Sequence, residues 1–240
     1  MATTSDTAPG AKYYKSVGLT WYDFWVLNLS STFAWGCPPS SVLEPFFAAN
    51  FSNEHLDVGV GTGYFPAAAL RQKNHQEQQR SITLVDLSPG SLAVAKGRID
   101  GVVDELDTNT VKTRAVLADA LQPLPKDEIQ QFESISIFYL LHCLPGPTKR
   151  KTAIFENLKA HLREDGVLFG ATVLGHGVTH NLFGRALMLV YNWAGIFDNR
   201  PDGEEEFVEA LKRNFRRVEA KVVGRVLLFR AWEPRGGQTQ

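Results

Sequence analysis

Short apolar runs alternate with stretches of helical periodicity from residue 55 onward. A buried strand begins near His55, and the runs at 81–87, 113–118, 134–141 and 166–174 predict four more. Helical patterns lie between these runs. One helix is predicted to begin with the N-cap Ser88 and Pro89. Another is predicted to start at Thr148, to carry Leu162 on its apolar face and to stop near Gly166. This alternation predicts an α/β fold whose parallel sheet has helices on both faces and binds its ligand beyond the carboxyl ends of the strands.

The alternation breaks down in the last third of the chain. A helix is predicted over 204–215, followed by strand-like runs at 217–223 and 225–232. Only Gly224 separates these two runs, which is too short for a crossover between parallel strands. We therefore expect an antiparallel hairpin.

Length, charge and cysteine usage narrow the class of protein. The chain has 240 residues, 44% of them hydrophobic, enough for one substantial core with an appendage. A formal net charge of −1 gives no global attraction to nucleic acid or anionic membranes. The two cysteines lack C-x-x-C spacing, which argues against a disulfide framework and a zinc site. We therefore expect no metal, and we expect a cytoplasmic location.

The two ends of the chain and its longest apolar stretch are the segments where a signal peptide or a membrane-spanning helix would lie. Residues 1–12 are small and polar, lack the apolar core of a signal peptide and are expected to be a flexible tail, as are residues 235–240. The apolar stretch at 183–197 contains Arg185 and Asn192 and is too short to span a bilayer.

The first predicted strand ends in a glycine-rich turn, Asp57-Val-Gly-Val-Gly-Thr-Gly63, which is followed by a helix. Such a turn lets the backbone approach a nucleotide-like ligand and points helical N–H groups at it. Dinucleotide-binding turns need a third glycine where this chain has Tyr64 or Pro66, and a P-loop needs a lysine that is absent between Gly59 and Gly63. Both phosphate-binding interpretations are therefore weak.

Taken in order, four segments resemble the class I S-adenosylmethionine-dependent methyltransferases, over roughly residues 54–233. They are the glycine turn, Leu84-Val-Asp-Leu-Ser-Pro89, Ala118-Asp-Ala120 and Phe138-Tyr-Leu-Leu-His-Cys-Leu-Pro145. The resemblance implies a Rossmann-like, seven-stranded, mostly parallel sheet with an antiparallel last strand. It also implies the cofactor S-adenosylmethionine, with S-adenosylhomocysteine as product, and a methyltransferase domain over 51–234.

The resemblance also assigns roles to residues around the cofactor. Asp86 would accept both ribose hydroxyls, Asp57 and the glycine amides would hold the methionine end, and Asp119 would accept from the adenine amino group. The alternative is that each aspartate is only a helix cap or turn residue. The candidate cofactor-binding residues are Asp57, Gly59, Gly61, Gly63, Asp86, Leu87, Asp119, Ala120, Tyr139 and Tyr14.

Methyl transfer from a sulfonium depends mainly on alignment, which is worth about 7–11 kcal/mol in favourable cases, and a base is needed only for a protonated acceptor. His142, at the end of the fourth strand, and His180 are the candidate bases, although His142 can instead be a structural part of its turn. His55, at the start of a strand, is not expected to take part. His180 is predicted to share a helical face with Phe183 and Tyr191 that covers the acceptor.

The segment 13–50 is rich in aromatic residues and is predicted to be a helical lid. Its rings can shelter the sulfonium or simply anchor the segment to the domain. The candidate acceptor-lining residues are Tyr22, Trp35, His176, Phe183 and Tyr191.

The predicted function is methyl transfer to O, N or S of a small, partly apolar metabolite of secondary metabolism. Two alternatives stay open: a cyclase or pericyclase that reuses the fold without net methyl transfer, and a non-catalytic regulator that binds the cofactor. A nucleic-acid substrate is not expected, because the chain has no basic stripe. The oligomeric state is left open.

Overall fold

The computed structural model describes residues 24–72, 79–107, 110–125 and 129–236. The strands are β1 (Glu54–Val58), β2 (Arg80–Asp86), β3 (Val111–Leu117), β4 (Phe132–Phe138), β5 (Leu162–Val173), β6 (Phe215–Val223) and β7 (Val226–Pro234). They form one sheet in the order β3-β2-β1-β4-β5-β7-β6. Strands β1 to β5 pair in parallel, and β7 runs antiparallel to both β5 and β6. The predicted sheet and its hairpin are confirmed.

Helices flank the sheet and precede it. The α-helices are α1 (Glu44–Asn50), α2 (Tyr64–Gln72), α3 (Pro89–Glu105), α4 (Thr148–Lys151), α5 (Ala153–Lys159), α6 (Leu182–Trp193) and α7 (Glu204–Asn214). Before α1 the chain has two segments of π-type helix, Phe24–Ala34 and Pro39–Leu43. A helical N-terminal region is therefore present, and its action as a lid stays a prediction. No helix within the described ranges is long and apolar enough to cross a membrane.

Two apolar clusters fill the two faces of the sheet. Successive residues of a strand point to opposite faces, so Phe169 of β5 joins one cluster and its neighbour Leu168 joins the other. Both side chains are fully buried. Burial of a side chain of this size contributes about 1.5–3 kcal/mol, and the two clusters hold the sheet rigid behind the edge where β1, β2 and β4 end.

Three predicted boundaries are wrong. β4 ends at Phe138 because Tyr139 takes a left-handed φ of 56°, which cannot continue a strand. The helix predicted to carry Leu162 ends at Lys159, and Leu162 instead pairs with Phe132 at the start of β5. His180 lies outside α6, whose N-cap is Asn181, so it does not share a helical face with Phe183 and Tyr191.

The hairpin between β6 and β7 also anchors the N-terminal region. Its turn contains Gly224, with a φ of 61°, and Arg225, whose N–H donates to the carbonyl of Trp35 at 2.8 Å. A Cβ on Gly224 would lie 2.2 Å from that carbonyl oxygen. Only glycine allows this close approach, which joins the segment before α1 to the sheet.

Candidate functional site

The glycine turn forms an open cradle at the carboxyl end of β1. Gly59, Gly61 and Gly63 all have positive φ, at 71°, 54° and 70°. A Cβ on Gly59 would clash with Leu140 and one on Gly63 with the Ala95 backbone, both at less than 3.0 Å, whereas one on Gly61 meets nothing within 4 Å. The outer two glycines therefore allow tight packing, and Gly61 borders space that a ligand can fill.

Asp86 ends β2 beside this turn. Its Oδ1 accepts the Ser88 N–H at 2.9 Å and its Oδ2 accepts the Gly61 N–H at 3.3 Å. Burial raises the pKa of Asp86, while these amides and that of Leu87 favour the charged form. Because a carboxylate offers about four lone-pair sites, Asp86 can accept a further hydrogen bond, such as one from a hydroxyl group.

Asp57 is the penultimate residue of β1 and is 4% exposed. Burial raises its pKa to about 7, the Ser136 hydroxyl bond opposes that rise, and the nearby Asp86 adds to it. Within residues 24–72, 79–107, 110–125 and 129–236, neither aspartate forms an ion pair. Two acidic groups without a cation at the edge of an open cradle suit a positively charged ligand.

Asp119 and Ala120 follow β3 in a tight turn. The Asp119 carboxylate accepts the Leu121 N–H at 3.0 Å, and its carbonyl accepts the Gln122 N–H at 2.9 Å. Ala120 is buried, and its carbonyl accepts from the Asn157 side chain at 3.3 Å. These contacts match the alternative of a turn residue, and contact between Asp119 and adenine stays a prediction.

Phe197 gathers several of the sequence-predicted residues into one aromatic group. The centroid of its ring lies 4.3 Å from that of His142, 4.9 Å from Tyr191 and 6.0 Å from Trp35. Trp35 in turn meets His180 edge to face at 6.1 Å. The sequence predicts no role for Phe197. The feature that could have indicated one is its position at the end of the apolar stretch 183–197, most of which lies in α6.

His142 lies in a short 3-10 helix, Leu141–Cys143, and is buried. Its Nδ1 accepts the Val173 N–H at 3.2 Å, so the neutral ring carries its proton on Nε2. Burial and the positive charge of Lys151 lower the pKa of His142 to about 3. The imidazole therefore stays neutral at physiological pH and has no unoccupied lone pair with which to take a proton.

His180 differs from His142 in the hydrogen bonding of its ring nitrogens. Both of its ring nitrogens are buried, and neither makes a hydrogen bond of acceptable geometry within the part of the chain that the structure describes. Burial, followed by the charge of Arg225, lowers the pKa of His180, although the nearby Leu174 carbonyl slightly favours the charged form. His180 is thus a neutral imidazole that can bond a ligand or water.

Tyr139 connects the N-terminal region to the end of β4. Its hydroxyl lies 3.0 Å from the Ser31 hydroxyl, and its N–H donates to the Ala171 carbonyl at 2.8 Å. Burial raises the pKa of Tyr139, so the phenol is protonated and can donate or accept. Ser31 lies within the N-terminal π-type helix Phe24–Ala34, so the segment predicted to be a lid is in hydrogen-bond contact with the residue that follows β4.

Two of the other predicted site residues are exposed, and two lie outside the described residues. His176 is exposed, and Phe183, on α6, is 39% exposed. Tyr14 and Tyr22 lie outside the described residues. Among residues that the structure describes, no group of histidine, cysteine or acidic side chains has the arrangement of a metal site.

Comparisons with known proteins agree with this geometry. A family model described as "Methyltransferase domain" matches residues 56–168. "Methyltransferase verB" of Penicillium polonicum is 45% identical over 233 residues, covering 94% of this chain and 99% of the relative. The "Physcion biosynthesis cluster O-methyltransferase" of Aspergillus chevalieri is 43% identical over 235 residues, covering 98% of this chain and 100% of the relative.

The solved structures support the same fold. One described as "DhpI-SAH complex structure" matches with a TM-score of 0.64 at 18% identity, covering 97% of this chain and 100% of that chain. At this identity the likeness concerns the fold, and it extends over the N-terminal helices as well as the sheet.

Proposed function

The chain belongs to the class I S-adenosylmethionine-dependent methyltransferases, and we propose that within this family it methylates an oxygen of a small, partly apolar natural product. One observation carries the choice of oxygen: the near full-length similarity to an O-methyltransferase of the physcion biosynthesis cluster. The aromatic group around Phe197 supports an apolar acceptor, because ring faces and edges suit a planar, weakly polar molecule.

The residues at the ends of β1 and β2 fit the cofactor. When bound, S-adenosylmethionine supplies a methyl group on positively charged sulfur. The space beside Gly61 leaves room for the cofactor next to the backbone, and the Asp86 carboxylate can accept from a ribose hydroxyl. Asp57 supplies negative charge for the methionine ammonium. The feature that most favours this placement is that neither carboxylate has an ion-pair partner among the residues that the structure describes.

The acceptor end is built from residues farther along the chain. His142 presents an Nε2–H, which can donate to an acceptor oxygen, and its neutral ring packs against Phe197. A proton lost by the acceptor goes to His180, whose ring nitrogens have no protein partner of good geometry within the described ranges. Because the pKa of His180 is lowered, it is a weak base and suits an acidic hydroxyl, such as a phenol or an enol.

A matched acceptor panel tests this proposal. The enzyme is incubated with S-adenosylmethionine and with hydroxyl, amino and thiol versions of the same fused-ring aromatic scaffold, and products are identified by mass and by the position of the new methyl group. We expect methylation of the hydroxyl version. Methylation of only the amino or thiol version would overturn the choice of oxygen, and a product of unchanged mass would favour the cyclase alternative.

A pair of variants separates the proposed roles of the two histidines. His180→Gln should lower kcat most at pH values above the pKa of His180 and below that of the acceptor hydroxyl, with little change in cofactor affinity, because it removes the proton acceptor. His142→Gln should raise the acceptor KM, because it removes a donor and a ring contact. Equal losses in both variants at every pH would contradict this division of roles.

A further inference from the structure

Four polar side chains lie in the core directly behind the glycine turn. The register of β1 and β4 sets His55 opposite Ser134 and Asp57 opposite Ser136. Residues two apart on a strand share a face, so all four point to the same side of the sheet. His55, Ser134 and Ser136 are 0% exposed and Asp57 is 4% exposed, so bulk solvent hardly reaches these side chains.

These side chains form one continuous relay that ends at Asp57. The Ser136 hydroxyl lies 2.5 Å from Asp57 Oδ1 and 3.0 Å from His55 Nε2. His55 Nδ1 lies 2.8 Å from the Ser134 hydroxyl, which also accepts the Ser52 backbone N–H at 3.0 Å. The relay thus runs from a backbone amide to a carboxylate.

The ionised Asp57 fixes the direction of the bonds beside it, because a carboxylate can only accept. Ser136 therefore donates to Asp57, and since its single hydroxyl hydrogen is then used, Ser136 accepts from His55 Nε2–H. In a neutral His55 the other ring nitrogen, Nδ1, is an acceptor, so Ser134 donates to Nδ1 and accepts the Ser52 N–H. In this arrangement His55 is a neutral Nε2–H tautomer.

We propose that His55, Ser134 and Ser136 are positioning residues that hold Asp57 as an oriented carboxylate for the ammonium group of S-adenosylmethionine. This inference rests on the proposed placement of Asp57 against the methionine end of the cofactor. The relay acts on the cofactor through Asp57 and does not itself touch the cofactor.

A buried carboxylate at this place needs such support. Desolvation and the like charge of Asp86 on β2 both favour protonation of Asp57, and a neutral carboxyl group attracts an ammonium far less strongly. Ser136 on β4 opposes protonation, and it is a stronger donor because His55 on β1 donates to it in turn. Asp86 and His55 are the titratable groups that act on Asp57 in these contacts.

A purely structural role makes a different prediction. If the four side chains only satisfied one another in the core, loss of one hydroxyl would lower stability but leave the pH dependence of cofactor binding unchanged. The proposed role requires that pH dependence to move. The pH at which binding strengthens is therefore the decisive readout.

The test is a calorimetric titration of the full chain with S-adenosylmethionine at pH values on both sides of 7. The variants are Ser136→Ala, Ser134→Ala and a control, Ser91→Ala, which removes a buried hydroxyl on α3 that has no partner within the described residues. We expect wild-type affinity to rise as Asp57 ionises. Ser136→Ala should shift that rise to higher pH and weaken binding about tenfold at neutral pH, and Ser134→Ala should give a smaller shift in the same direction.

Asp57→Asn separates failure of the relay from failure of the placement. Undiminished binding by Asp57→Asn at all pH values would overturn the placement of Asp57 itself. Weakened binding by Asp57→Asn together with a wild-type pH profile for Ser136→Ala would overturn the relay alone. A shift as large in Ser91→Ala as in Ser136→Ala would also overturn it.

A measurement on the wild-type protein keeps the proposal testable if a variant fails to fold. Nitrogen-15 spectra of the histidine rings distinguish the two neutral tautomers from the cation. We expect the His55 signals to show a protonated Nε2 and an unprotonated Nδ1 above the pH at which Asp57 ionises. The Nδ1–H tautomer or an imidazolium under those conditions would overturn the proposed direction of the relay.

Discussion

Replacement of Lys151 by methionine should destabilise the protein by several kcal/mol. The Lys151 ammonium and the Asp202 carboxylate are both 0% exposed and lie 2.6 Å apart. The ammonium also donates to the Asp198 carbonyl, and Asp202 accepts the Thr148 hydroxyl at 2.8 Å. Methionine keeps most of the length and volume of the lysine stem, so the change mainly removes the charge.

The expected loss of stability follows from the distance between Lys151 and Asp202 and from the burial of both groups. At an effective dielectric constant of about 20, the attraction at this separation is about 6 kcal/mol, and desolvation of the two ions offsets much of it. Removal of one partner leaves Asp202 buried without its cation, which typically costs about 3–5 kcal/mol. A second substitution, Asp202→Asn, in the same chain removes that charge and should restore part of the loss.

Urea unfolding measures this loss, and a second lysine provides the control. We expect Lys151→Met to lower the unfolding midpoint by about 1–2 M urea. Lys96 forms an exposed pair with Asp100, at 2.5 Å and four residues apart on α3, so Lys96→Met should cost less than about 1 kcal/mol. Equal losses in the two variants, or no recovery in the double variant, would refute the argument from burial.

Three further changes test the site. The folded-state pKa of Asp57, about 7, lies above its ordinary value of 3.8, so the folded protein retains a proton that the unfolded chain releases. The free energy of unfolding should therefore fall as pH rises from 3.8 to about 7. Urea unfolding at several pH values should show this fall in the wild type and not in Asp57→Asn. Phe197→Ala should raise the acceptor KM severalfold with the cofactor Kd unchanged, as steady-state kinetics and calorimetry can show. Gly63→Ala should lower the melting temperature more than Gly61→Ala, because only its Cβ meets the Ala95 backbone, whereas Gly61→Ala should mainly weaken cofactor binding.

Much of the fold could be predicted from local patterns. Apolar alternation located the strands, and the single glycine between the last two runs required an antiparallel hairpin. The errors arose where tertiary contacts override periodicity. Leu162 fits a helical stripe with Leu158, yet it pairs with Phe132 at a bulge, and Tyr139 turns left-handed where an apolar run would otherwise continue the strand.

In the candidate site, too, local patterns predicted some features, and contacts between distant parts of the chain determine the others. Asp57 and Asp86 were expected at one edge because each ends an apolar strand, and the structure places them at that edge. The relay behind Asp57 depends on the register between strands about 80 residues apart, which no local pattern contains. A signal was nevertheless present: His55 and Asp57 alternate with apolar residues, as do Ser134 and Ser136.

The segment at the end of β4 connects the strand ends that we propose bind the cofactor with the residues that we propose line the acceptor site. Ser136 lies within the strand and supports Asp57, whereas His142 lies beyond the strand and packs on Phe197. Between them, the left-handed φ of Tyr139 redirects the chain, and its hydroxyl meets Ser31 of the N-terminal region. Other residues that we propose for the acceptor site, such as Phe197 and Tyr191, lie on or after α6. We therefore expect substitutions there to alter acceptor choice and to leave Asp57 and Asp86 in place. A change at Tyr139 should instead disturb the strand end, the contact with the N-terminal region and the position of His142 together.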